Sequence, residues 1–137
     1  MLIEVTGTDR MKTSIVLDTM VTMFSEHCAT PFKIEPVLIE HANGVGAEET
    51  PELKYWEERV DPDYIQRKIG LPKDVEPEHM AKLLSKMGLV SRVEDDKIVS
   101  RVPPTRHDIL HPCDIMEDVA VAYDFNKVSG DRQLLDK

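Results

Sequence analysis

Apolar residues recur at helical spacing in three stretches of this chain and alternate, less regularly, between them. Leu2 to Thr6 predicts a short strand, and Gly7-Thr8-Asp9 a turn that caps a helix from about Lys12 to Cys28. That helix carries Ile15, Val16, Met20, Val21 and Phe24, a stripe too broad for one short strand to cover. Phe32 to His41 reads as a strand broken at Pro36, Asn43 to Gly46 as a turn, Glu48 to Pro51 as a polar loop, and Leu53 to Val60 as extended chain. Asp61-Pro62-Asp63 supplies a cap, a first-turn proline and an acid for a short helix that Gly70 closes. A second helix runs from Pro77 to Met87, with Met80, Leu83, Leu84 and Met87 at i, i+3, i+4 and i+7, and stops at Gly88. Leu89 to Val93 and Lys97 to Val102 then form a hairpin around Glu94-Asp95-Asp96.

Pro103-Pro104 ends that hairpin by removing two backbone donors, and Pro112 opens the last helix. There Ile115, Val119 and Ala122 make an apolar face widened by Met116, Ala120 and Tyr123, while Asp114, Glu117 and Asp118 stand on the other side. Ser129 to Lys137 is expected to fray. The predicted class is α+β: a small winged-helix-like domain (helix–helix–hairpin) with a C-terminal helix and an N-terminal strand–helix appendage. The under-covered first helix predicts that residues 1–30 are the end of a preceding domain, followed by the main domain over 31–128 and a tail over 129–137.

With 41% hydrophobic and 31% charged residues, the chain has the composition of a soluble globular protein. No apolar run is long enough for a bilayer and no secretory leader is present, so nothing points to export. Cys28 and Cys113 form no CxxC pair and read as free thiols in a reducing compartment. A net charge of −9 argues against bulk attraction to nucleic acid or anionic membrane.

The candidate chemistry lies in RVPPTRHDILHPCDIMEDVAVAYDF, residues 101–125. Asp108 sits just before the last helix and can fold over its first turn, bringing four carboxylates together. Two carboxylates about 6 Å apart repel by about 3 kcal/mol at an effective dielectric near 20, so a covered cluster needs a cation, an arginine or a proton. Oxygen ligands alone favour magnesium over zinc. The plainer alternative is a solvated helix face. Arg106 is the natural internal counter-charge, more suited to ordering Asp108 or Asp114 than to touching RNA. His107 and His111 have no zinc-site spacing, and Cys113 lacks an activating base.

PPTRHDILHPCDIMEDVAVAYDFN resembles the signature of the beta subunit of cytosolic phenylalanine–tRNA ligase, of the eukaryotic and archaeal kind: Arg-x-Asp-Ile, then, six residues after its Asp, Asp-x-x-Glu-Asp or Asp-x-x-Glu-Glu. VTGTD, IVLDTMVTMFSEHC, the TPEL segment and AKLLSKMGL extend the likeness upstream. Asp124 departs from it, standing where Gly is usual near the helix end. The resemblance implies a B-five domain preceded by the end of the module that clears mischarged tyrosine. It implies magnesium (Mg2+) ligands at Asp108, Asp114, Glu117 and Asp118, completed by the alpha subunit. It also implies a class II parent enzyme in the cytoplasm, a heterotetramer of two alpha and two beta subunits. That enzyme joins phenylalanine to its tRNA, with ATP bound by alpha and no activity of its own in this segment. Two other functions stay open. A stand-alone winged helix would bind tRNA or DNA through Arg67, Lys68, Lys73, Lys82, Lys86, Arg92 and Lys97, against which Glu76, Glu78 and the acidic wing tip weigh. A metal-dependent hydrolase would need a positioning base, and none is apparent.

Overall fold

A computed structural model describes the backbone of residues 1–40, 44 and 46–132, so His41, half of the expected turn at 43–46 (Asn43 and Val45) and residues 133–137 lie outside the described residues. The chain divides into two compact units, Met1–Lys54 and Tyr55–Lys137. The described elements are five helices and two small antiparallel sheets, an α+β arrangement.

In the first unit, Asp9 caps helix α1 (Arg10–Ser25) by accepting from the Lys12 amide at 3.1 Å. The helix ends before the expected Cys28. Val21 is buried, but Val16, Met20 and Phe24 are 47%, 37% and 40% exposed, so the apolar stripe is only partly covered within its own unit. Leu2 to Thr6 is not a strand, and among the described residues the unit's two strands, β1 (Val37–Glu40) and β2 (Ala47–Thr50), pair with each other. Extended backbone without a ladder partner leaves its amides to solvent. The strand expected over 32–41 shortens to β1 (Val37–Glu40), because Pro36 has no amide to give and Phe32 turns through φ 59°. The supposed polar loop at Glu48 to Pro51 is largely strand β2 (Ala47–Thr50), antiparallel to β1 with Val37 opposite Thr50. Acidic side chains gave no strand signal there; pairing with β1 overrode local propensity.

In the second unit, β3 (Trp56–Val60) is shorter than expected, since Leu53 has φ 44°. Asp61 caps α2 (Pro62–Ile69), and Gly70 ends it in the left-handed region at φ 82°. Helix α3 (Pro77–Lys86) buries Met80, Ala81, Leu83 and Leu84. Strands β4 (Val90–Glu94) and β5 (Lys97–Val102) form the expected hairpin, and β3 joins it in the order β3-β5-β4. The two hairpin-turn residues, Asp95 and Asp96, have φ 50° and 58°, the pair of positive angles that a two-residue type I′ turn requires. Asp96→Gly is therefore expected to stabilise the unit by about 1 kcal/mol, read as a higher midpoint of urea unfolding. A lower midpoint would show that the Asp96 carboxylate contributes more than its backbone strain removes.

Helix α4 (Pro112–Tyr123) lays Ile115, Val119 and Ala120 into the core beside Ile65, Leu84 and Ile98, with Met116, Ala122 and Tyr123 packed at its edge. Asp124 leaves the helix at φ 92°, without a glycine, and its carboxylate accepts from the Asn126 amide at 2.9 Å. A further helix, α5 (Phe125–Arg132), follows at once and buries Val128, so the tail expected to fray from Ser129 is helical as far as Arg132.

Candidate carboxylate and assembly site

After Val102 the chain turns, the Arg106 amide donating to the Pro103 carbonyl at 3.0 Å. Pro104 and Ile109 are buried, and they pin the segment against the core on either side of Arg106 and Asp108. From this bracket the Arg106 guanidinium makes a three-way junction. Its Nε lies 3.0 Å from Asp108 Oδ1, and its Nη2 lies 2.7 Å from Asp108 Oδ2 and 2.9 Å from Asp118 Oδ2. Its Nη1 donates to the Met87 carbonyl, just past the end of α3, at 3.1 Å. One side chain thus ties the loop, α4 and the end of α3 together.

The expected polar face of α4 is split by this arrangement. Asp118, placed by periodicity on the solvent side, is buried, its side chain 9% exposed against 61% for Asp108. Burial pushes the Asp118 carboxyl above its ordinary range although Arg106 opposes the shift. The Arg106 fork holds Asp108 below its ordinary range. Asp114 does not meet Arg106. Its Oδ2 accepts from the Leu110 and His111 amides, both at 2.8 Å, while His111 Nδ1 accepts from the Cys113 amide at 3.2 Å. These backbone donors lower the Asp114 pKa, and His111 is a helix cap rather than a ligand. Desolvation and the neighbouring Asp114 raise the Cys113 thiol above its ordinary range, the opposite of what an activated nucleophile needs. Glu117 is exposed one turn along.

Of the four carboxylates, then, Asp108 and Asp118 meet at one point, Asp114 faces its own helix start, and Glu117 faces outward. Among the described residues no three His, Cys, Asp or Glu side chains form a ready ligand set. The donor chemistry still suits a hard divalent cation, and the point shared by Asp108 and Asp118 already holds a positive charge, that of Arg106. The sequence pairs Arg106 with Asp108 or Asp114; the structure gives it Asp108 and, in place of Asp114, Asp118. The burial of Asp118 and the role of Met87 had no sequence signal, since both depend on how α3 packs against α4.

Residues 59–125 match the family model of the tRNA synthetase B5 domain and fall inside the second unit. A phenylalanine–tRNA ligase beta subunit of Drosophila melanogaster is 44% identical over 126 residues, which is 92% of this chain and 21% of the relative. The Arabidopsis thaliana protein named phenylalanine–tRNA ligase beta subunit, cytoplasmic, is 44% identical over 131 residues, 92% of this chain and 21% of the relative. A crystal structure of an N-terminal fragment of the phenylalanyl-tRNA synthetase beta subunit from Pyrococcus horikoshii superposes with a TM-score of 0.72 at 31% identity, covering 85% of this chain and 32% of that one. The chain thus spans about a fifth of the length of the curated relatives it matches. By sequence and fold it is a relative of the phenylalanine–tRNA ligase beta subunit, homologous to the part that carries the B5 domain.

Proposed function

We propose that this chain is a non-catalytic structural and assembly segment of a phenylalanine–tRNA ligase beta subunit. In this reading the parent enzyme is a heterotetramer of two alpha and two beta subunits that charges phenylalanine tRNA using ATP, with the active site in alpha. Residues 1–30 are the end of the preceding editing module, and the incompletely covered face of α1 supports that assignment. Asp108, Asp114, Glu117 and Asp118 hold magnesium at the boundary with alpha, which completes the coordination. When bound, the ion neutralises carboxylates that would otherwise repel one another and stiffens the joint between the subunits. The observation that carries this reading is the meeting of Asp108 and Asp118 at one cationic point, with Glu117 left outward on the same helix. Leu110, Val121 and Phe125 are 78%, 45% and 57% exposed and give the α4 region apolar surface for a partner. The Arabidopsis relative's name and the free thiols of Cys28 and Cys113 support a cytoplasmic setting.

A stand-alone nucleic-acid module is the weaker reading. Asp61, Asp63, Glu78, Asp95 and Asp96 line a shared groove beside the hairpin turn, with Lys97 as its one cation, and such a groove repels phosphate. The isolated chain is expected to give no salt-dependent shift of tRNA in a gel. The assembly reading is tested by titrating magnesium calorimetrically into the chain with and without the alpha subunit. Binding is expected only with alpha, and Glu117→Ala should weaken it at least about tenfold without changing the thermal midpoint of the free chain. No heat in the folded complex would refute the magnesium site.

A further inference from the structure

We infer that Arg106 is the resident cation of the carboxylate site: it occupies the point where Asp108 and Asp118 meet, so that a divalent ion gains these two ligands only when the guanidinium leaves. The inference rests on the magnesium reading given above and adds what controls it. One nitrogen, Nη2, contacts both Asp108 Oδ2 and Asp118 Oδ2, and Nε holds Asp108 Oδ1 as well, so the oxygens that converge at this point already face the guanidinium. A dication and a guanidinium cannot both sit there, because two positive centres would compete for the same oxygens. The fork is also tied to the fold through the Met87 carbonyl and the neighbouring buried Ile109, so its departure costs those contacts. Asp108 is largely exposed while Asp118 is buried, so an outward swing of Arg106 with Asp108 would free the Asp118 oxygen. A partner that offers Arg106 another acceptor would open the site as it docks. Metal entry is in this way coupled to assembly, and the free chain stays folded without metal.

The experiment is thermal unfolding of the 137-residue chain in chelator and in excess magnesium chloride. Wild type is expected to unfold at the same temperature in both. Arg106→Gln, which leaves Asp108 and Asp118 without a counter-charge, should unfold roughly 10 °C lower in chelator and regain about half of that loss with magnesium. Adding Asp118→Asn should abolish the recovery; if the recovery persists, the ion lies elsewhere and the inference is overturned. An equal magnesium response in wild type would overturn the exclusion by Arg106 while leaving the metal reading intact. No response in folded Arg106→Gln would overturn the exchange, and the metal reading would then stand or fall on the alpha-dependent titration alone. Should Arg106→Gln not fold, Arg106→Lys serves instead: its single ammonium lacks the fork, and a partial magnesium recovery is expected, with none overturning the inference.

Discussion

Ile115→Ala is expected to lower the stability of the second unit by about 2–5 kcal/mol, a fall in Tm of roughly 15 °C. Ile115 is fully buried on α4, in the cluster formed with residues of α2, α3 and β5. Truncation removes apolar burial and leaves a cavity that the surrounding helices and sheet fill only in part. The effect reaches the site, because Asp114 and Asp118 flank Ile115 along the same helix and keep their positions only while α4 stays seated. Thermal unfolding followed by circular dichroism measures it. A loss below about 1 kcal/mol would mean that α4 is held mainly by its polar junction, contrary to the burial pattern.

Asp114→Ala is the second large effect, about 1.5–3 kcal/mol, and it depends on pH. The Asp114 carboxylate is the acceptor for two backbone amides that precede α4, Leu110 and His111. Alanine leaves both donors without that partner. The bonds lower the pKa of Asp114 in the folded chain below its ordinary 3.8. A depressed carboxylate contributes stability above its unfolded pKa and loses it as pH falls through the folded value. The difference between wild type and Asp114→Ala should therefore be full at neutral pH and shrink below about pH 4. Asp118 acts in the opposite sense. Its folded pKa is raised by burial, so its ionisation weakens the fold as pH rises through that raised value. Denaturant titrations in chelator at several pH values separate the two; an Asp114→Ala difference that grows in acid would refute the assignment.

The second unit was the more legible in sequence, and the reason is punctuation. Asp61-Pro62, Gly70, Pro77, Gly88 and Pro112 each mark an element end through a local backbone requirement, and the helices begin and end beside them. The first unit lacks such marks where it mattered. Ala47 to Thr50 is a strand because β1 lies beside it, and Leu2 to Thr6 is not one because no strand among the described residues pairs with it. Helix α5 was hidden because Asp124 serves as an exit and an entry at once. Within the site, the identities of the four acids and of Arg106 were readable, and so was their proximity in sequence. Which acid takes which partner was not. Periodicity puts Asp114 and Asp118 on one face, yet a single turn of helix separates a carboxylate bound to its own backbone from one buried against an arginine.

The outer face of the three-stranded sheet has a consequence for how this surface meets other molecules. Arg92 bridges Glu57 and Glu94, Arg59 reaches Glu94, and Val99, opposite both arginines in register, is wholly shielded from water. These arginines work as roof beams over an apolar residue, their charges already matched by glutamates of the same sheet. Concentrated salt, which weakens exposed ion pairs, would loosen the covering before it disturbed the interior, and a polyanion approaching from that side would find little unmatched positive charge.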